Sequence, residues 1–89
     1  MNFKFEFYLK TRGFSMKKYP NNVRVFELEK DKSPEEKIYF ALTIHENDTF
    51  TSARSDKEGL YCQEKEMINS KPEAKKFVDE FISLDIAEN

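Results

Sequence analysis

His45 and Cys62 are the single histidine and single cysteine of an 89-residue chain, and each is a type of side chain that does covalent or proton-transfer work. A histidine general base needs a partner that tunes or orients it, and Glu46 and Asp48 lie beside His45 in sequence. The stretch His45-Glu46-Asn47-Asp48 reads as a tight turn, where these residue types serve backbone geometry, so the expectation is a solvated turn histidine. Cys62 would act as a nucleophile if a base or a helix N-terminus stabilised its thiolate. Histidine lies seventeen residues upstream, and the plainer reading is a small, partly buried apolar residue. Asp56 and Glu58 flank a turn without the alternating oxygen ligands and glycine of a calcium loop. Only Gly13 and Gly59 are glycines, which excludes a phosphate-cradling or dinucleotide loop. No catalytic residue, no metal site and no cofactor is expected.

A second constellation concerns binding. Lys10, Arg12, Phe14, Met16, Lys17, Lys18 and Tyr19 interleave four cations with three apolar side chains between residues 10 and 19. Residues 1–24 carry a formal charge of +5 and residues 25–89 one of −7. Cations for phosphates and aromatics for bases are what single-stranded nucleic acid requires. A net charge of −2 is a weak electrostatic footprint for that partner. The same side chains on an irregular segment serve as adaptable anchors for a partner protein, and a loop of that length in a small domain often has a function. The acidic remainder, including Glu27, Glu29, Asp31, Glu35 and Glu36, suits a basic surface on a partner.

These residues must be positioned by one small domain. A chain this short buries only a little over roughly 60% of its unfolded surface. Apolar residues make up 38% and charged residues 36%, with a mean hydropathy of −0.80. Nine Phe and four Tyr argue against disorder and for a core built from phenylalanine. The longest apolar run, Ile38 to Leu42, is far short of a membrane span. Lys4 and Glu6 interrupt the N-terminal phenylalanines, so no signal peptide is read there. One cysteine forms no internal disulfide, and the expected location is the cytoplasm. Phe, Lys, Ile, Asn and Tyr total 36 residues, against 12 for Gly, Ala, Arg and Pro. That skew points to AT-rich coding in a low-GC bacterium, or a phage or mobile element of one.

The expected fold class is α+β: a four- or five-stranded antiparallel β-meander with a C-terminal α-helix packed on one face. In residues 2–10, Phe3, Phe5, Phe7 and Leu9 alternate with polar residues, which predicts a strand. Residues 11–22 read as a loop, broken by Gly13 and Pro20-Asn21-Asn22. Further strands are predicted over about 23–29, 38–45, 49–55 and 60–63, the last in competition with a helix because Glu64 to Ile68 leans helical. A hairpin is preferred over a helix start at Ser33-Pro34-Glu35-Glu36. A helix is predicted over about 71–85: Ser70 caps it, Pro72 suits its first turn, and Ala74, Phe77, Val78, Phe81 and Ile82 form one apolar stripe. Phe77 and Phe81 are expected to press on the sheet face carrying Phe3, Phe5, Phe7, Phe40 and Leu42.

Of three classes, an enzyme is the least expected, because nucleophile, base and electrostatic stabiliser are not convincingly assembled from one His, one Cys and two Gly. The expected function is a small non-enzymatic protein-binding regulator or inhibitor that occupies a partner's surface. A nucleic-acid-binding module using residues 10–19 is the alternative. An edge strand of the open meander offers a route to a homodimer or to pairing with a target strand.

Overall fold

The computed structural model describes residues 3–83. The chain runs α1 (Phe5–Thr11), β1 (Ser15–Tyr19), β2 (Val23–Ser33), β3 (Glu36–Ile44), β4 (Thr49–Asp56), β5 (Gly59–Glu66) and α2 (Lys71–Phe81). The five strands form one antiparallel sheet in sequence order, β1-β2-β3-β4-β5. The fold is therefore an α+β meander with a C-terminal helix, and it carries a second helix ahead of the sheet.

That first helix corrects the strand expected over 2–10. Phe3, Phe5, Phe7 and Leu9 alternate, yet only Phe5 and Leu9, four residues apart, are buried, while Phe7 is 62% exposed. Spacing of four is one helical face, and Tyr8 and Arg12 continue beside it, with the Arg12 guanidinium bonded to the Tyr8 hydroxyl at 2.7 Å. The helix stops at Gly13, whose φ of +96° lets the Phe14 amide return to the Leu9 carbonyl.

The edge position beside β2 falls instead to Ser15–Tyr19, within the segment expected to be loop. Tyr19 pairs with Val23 across Pro20-Asn21-Asn22. Asn21 and Asn22 both have positive φ, and the Val23 amide bonds the Pro20 carbonyl. Two left-handed central residues are the hairpin turn whose twist matches that of the strands, and asparagine tolerates them best after glycine. β2 and β3 close through Pro34-Glu35, with an irregularity between Asp31 and Ser33. β5 continues through Glu64 and Glu66, so the helical lean of that stretch yields to pairing with β4.

Both helices cover the same sheet face. Strand alternation sends Phe26, Ile38, Phe40, Leu42, Ile44 and Phe50 to that side, each 0–1% exposed. The Phe5 ring lies 5.2 Å from Phe50, and Phe77 sits 5.4 Å from Phe50 and 6.3 Å from Phe5. Phe81 meets Phe40 edge-on at 5.2 Å. Ala74 and Val78 are fully buried between helix and sheet. Ser70 accepts the Glu73 amide and so caps α2 as its spacing predicts. The helix ends at Phe81 with Ile82 as C-cap; the remainder of the span expected to about 85 lies outside the described residues. Lys30 and Arg54 donate to the carbonyls of Ile82 and Ser83, so two cations of the sheet satisfy acceptors that a helix end leaves open.

Among the described residues no helix covers the opposite face. Val25, Ala41, Thr43, Thr51 and Ala53 form its centre, with Tyr39 and Leu60 exposed on it.

Candidate protein-binding groove

The residues singled out between 10 and 19 part into two groups. Phe14 is 4% exposed and belongs to the core, so it is no surface anchor. Gly13 turns it inward beneath the sheet edge. Arg12 is engaged structurally: besides Tyr8 it holds Asp79 of α2 at 2.7 Å. Lys17 lies on the helix-free face, 3.4 Å from Glu27.

Lys10, Met16, Lys18 and Tyr19 come together. They line a groove of about 340 Å³ between the exposed side of α1 and the hairpin of β1 and β2, shared with Glu6, Phe7, Asn22, Val23 and Arg24. Lys10 lies over the Phe7 ring at 5.9 Å, a cation–π distance. Tyr19 is 48% exposed and Phe7 62%, two aromatic side chains that both line the groove. Lys18 pairs with no carboxylate among the described residues. The floor is fixed by an ion pair between Arg24 of β2 and Glu6 of α1. The Arg24 Nη1 donates to the Asn22 carbonyl at 3.2 Å, while its Nε is buried and makes no hydrogen bond.

One wall of the groove is a strand edge. Among the described residues β1 pairs only with β2, which leaves alternate backbone amides and carbonyls of Ser15–Tyr19 facing away from the sheet. The sequence hides Phe7 and Arg24 as groove residues, because a strand over 2–10 would have turned Phe7 to the core. The signal that could have found the groove was Pro20-Asn21-Asn22, read as a hairpin turn rather than as a break.

His45 and Cys62 stay apart. The His45 ring lies 2.8 Å from the Thr51 hydroxyl. Its amide bonds Thr49, whereas Cys62 pairs with Ala53. That offset is on the order of 13 Å along the strands and two strand spacings of about 4.8 Å across. Cys62 is exposed, not partly buried as its type suggested. Among the described residues no three His, Cys, Asp or Glu side chains converge in a way that could hold a metal ion. No helix there is long and apolar enough to cross a membrane. No protein-family model, curated protein or solved structure matches the chain.

Proposed function

We propose that this chain is a non-enzymatic protein-binding regulator that captures an extended acidic segment of a partner in the groove between α1 and the edge of β1. The carrying observation is that two exposed aromatics, Phe7 and Tyr19, and two cations, Lys10 and Lys18, converge beside an unpaired strand edge. A strand added to β1 gains main-chain hydrogen bonds, and alternate side chains of the added strand point into the groove. Lys10 and Lys18 select carboxylates, and the aromatic rims supply apolar contact for the residues between them. A regulator of this kind acts by occupying a surface the partner needs elsewhere.

Selection from a displayed library of random peptides tests the reading. The expected consensus alternates acidic and aliphatic residues. The selected peptides should lose about tenfold or more in affinity, roughly 1.4 kcal/mol or more, to Lys18→Glu and to Phe7→Ala. Melting temperature should hold in both variants, since the two side chains are exposed. Peptides that bind both variants undiminished would overturn the groove. An oligothymidine that occupies the groove, with affinity collapsing as salt rises, would replace the protein partner by single-stranded nucleic acid.

A further inference from the structure

The charge along the groove is unbalanced. Lys18 of β1 stands directly opposite Arg24 of β2 in the strand register, and both side chains lie on the helix side of the sheet. Like charges opposed across a strand pair repel. Lys10 reaches the same groove from α1, so three cations line it against one carboxylate, that of Glu6. Glu6 meets this charge incompletely. One of its oxygens contacts the Arg24 Nη2, while Nη1 donates to the Asn22 carbonyl at 3.2 Å. The Nε is buried and finds no acceptor among the described residues. A guanidinium offers a planar fork that a carboxylate can grip with both oxygens, and Glu6 uses only one arm of it. The pair is not what fastens α1 either: Phe5 and Leu9 are buried under the helix, and Arg12 holds Asp79. An ion pair between side chains 25% and 31% exposed adds little to stability.

We infer that Arg24 is the residue that reads a partner's carboxylate in this groove, and that Glu6 holds the partner's place in the free protein. The inference rests on the groove being the site of an acidic segment. A glutamate or aspartate of that segment displaces Glu6 from Nη2, takes Nε with its second oxygen and comes to lie between Arg24 and Lys18. The two opposed cations then share the anion they lack, and the buried Nε gains an acceptor, which a buried donor otherwise goes without at a cost. Glu6 sets specificity as well as affinity, because an uncharged segment has nothing that replaces it on Arg24.

The probe is the tightest acidic peptide from the random-peptide selection, beside a neutral version in which glutamine and asparagine replace every acidic residue. Calorimetric titration of Glu6→Gln should show about three- to fivefold tighter binding of the acidic peptide, the size of competition from an ion pair this exposed. The neutral peptide should not distinguish Glu6→Gln from the unsubstituted chain. Glu29→Gln removes the same charge on the opposite sheet face and should leave binding unchanged. Arg24→Lys keeps the charge without the fork and should weaken acidic-peptide binding about tenfold. In that background Glu6→Gln should bring no gain, the non-additivity of a shared contact. Melting temperature is the folding control. In the unsubstituted chain, the nuclear magnetic resonance signal of the Arg24 Nε–H should move downfield as the acidic peptide is added, a readout that needs no substitution. An acidic peptide that binds Glu6→Gln no tighter, or that leaves the Nε–H signal in place, overturns the inference; if Lys18→Glu still weakens that peptide, the groove itself stands. Peptides indifferent to Lys18→Glu, or a selection that yields none, overturn the groove and this inference together.

Discussion

Arg12, which ends α1, donates from Nη2 to the Asp79 carboxylate of α2 at 2.7 Å, tying residues 67 positions apart in the chain. Lys75 holds the other carboxylate oxygen at 2.8 Å from one turn earlier in α2. The first and last elements are therefore joined by a shared acidic group as well as by the Phe5–Phe77 contact.

The acid limb of stability should report on that group. Hydrogen bonding from Lys75 and then from Arg12 holds the Asp79 carboxyl below its ordinary value of 3.8. The ionised form is favoured in the folded state, so its contribution is fully present above the ordinary value. It is lost as pH falls below 3.8 and through the lowered folded value. Thermal unfolding followed from about pH 7 down to about pH 2 should show a shallower acid decline for Asp79→Asn than for the unsubstituted chain. Equal slopes would remove Asp79 from the linkage.

Phe5 and Phe7 should behave oppositely. A strand would bury both on one face, whereas the helix buries Phe5 at 3% exposure and leaves Phe7 at 62%. Phe5→Ala should cost about 3–5 kcal/mol, and Phe7→Ala should stay within about 0.5 kcal/mol. Urea unfolding midpoints of the two variants decide it, and equal large losses would restore the strand.

Gly13→Ala isolates a backbone effect. A Cβ there would meet Leu28 Cδ1 at 3.7 Å, an ordinary contact, so space is not the obstacle. The φ of Gly13 is +96°, and forcing an L side chain into left-handed backbone costs about 1–2 kcal/mol. A chemical-denaturation midpoint unchanged by the substitution would mean that the α1 terminus rearranges at no cost.

Much of this architecture can be read from residue order because local chemistry and tertiary demand agree. α2 has a capping serine, a proline in its first turn and one apolar stripe, and it folds where those signals put it. β3 alternates strictly between buried and less buried positions from Ile38 to Ile44, and its neighbours are bounded by turn residues. α1 is different, since Phe-Glu-Phe-Tyr-Leu satisfies period two and a spacing of four at once. What settles it is non-local: Ser15–Tyr19 occupies the place beside β2 that the first strand of a meander would take. β1 is invisible to hydrophobic patterning because it buries no residue. The groove inherits both difficulties, as its walls are those two elements. Phe14 shows the converse, an aromatic beside breakers that looks like a surface anchor and is core.

The strictly sequential strand order has a kinetic consequence. Each strand pairs with its chain neighbour across a short turn, so the sheet assembles by closing small loops, and chains rich in such local contacts cross their folding barrier quickly. The contacts of the helices are the exception, and among them the α1–α2 contact must close nearly the whole chain, so loop-closure entropy favours forming it last. Interactions absent from the transition state govern the rate of unfolding and leave the rate of folding nearly untouched. The lifetime of the folded molecule is thus set at the helix pair, by Phe5, Phe77, Arg12 and Asp79, while the speed of its formation is set by the hairpins.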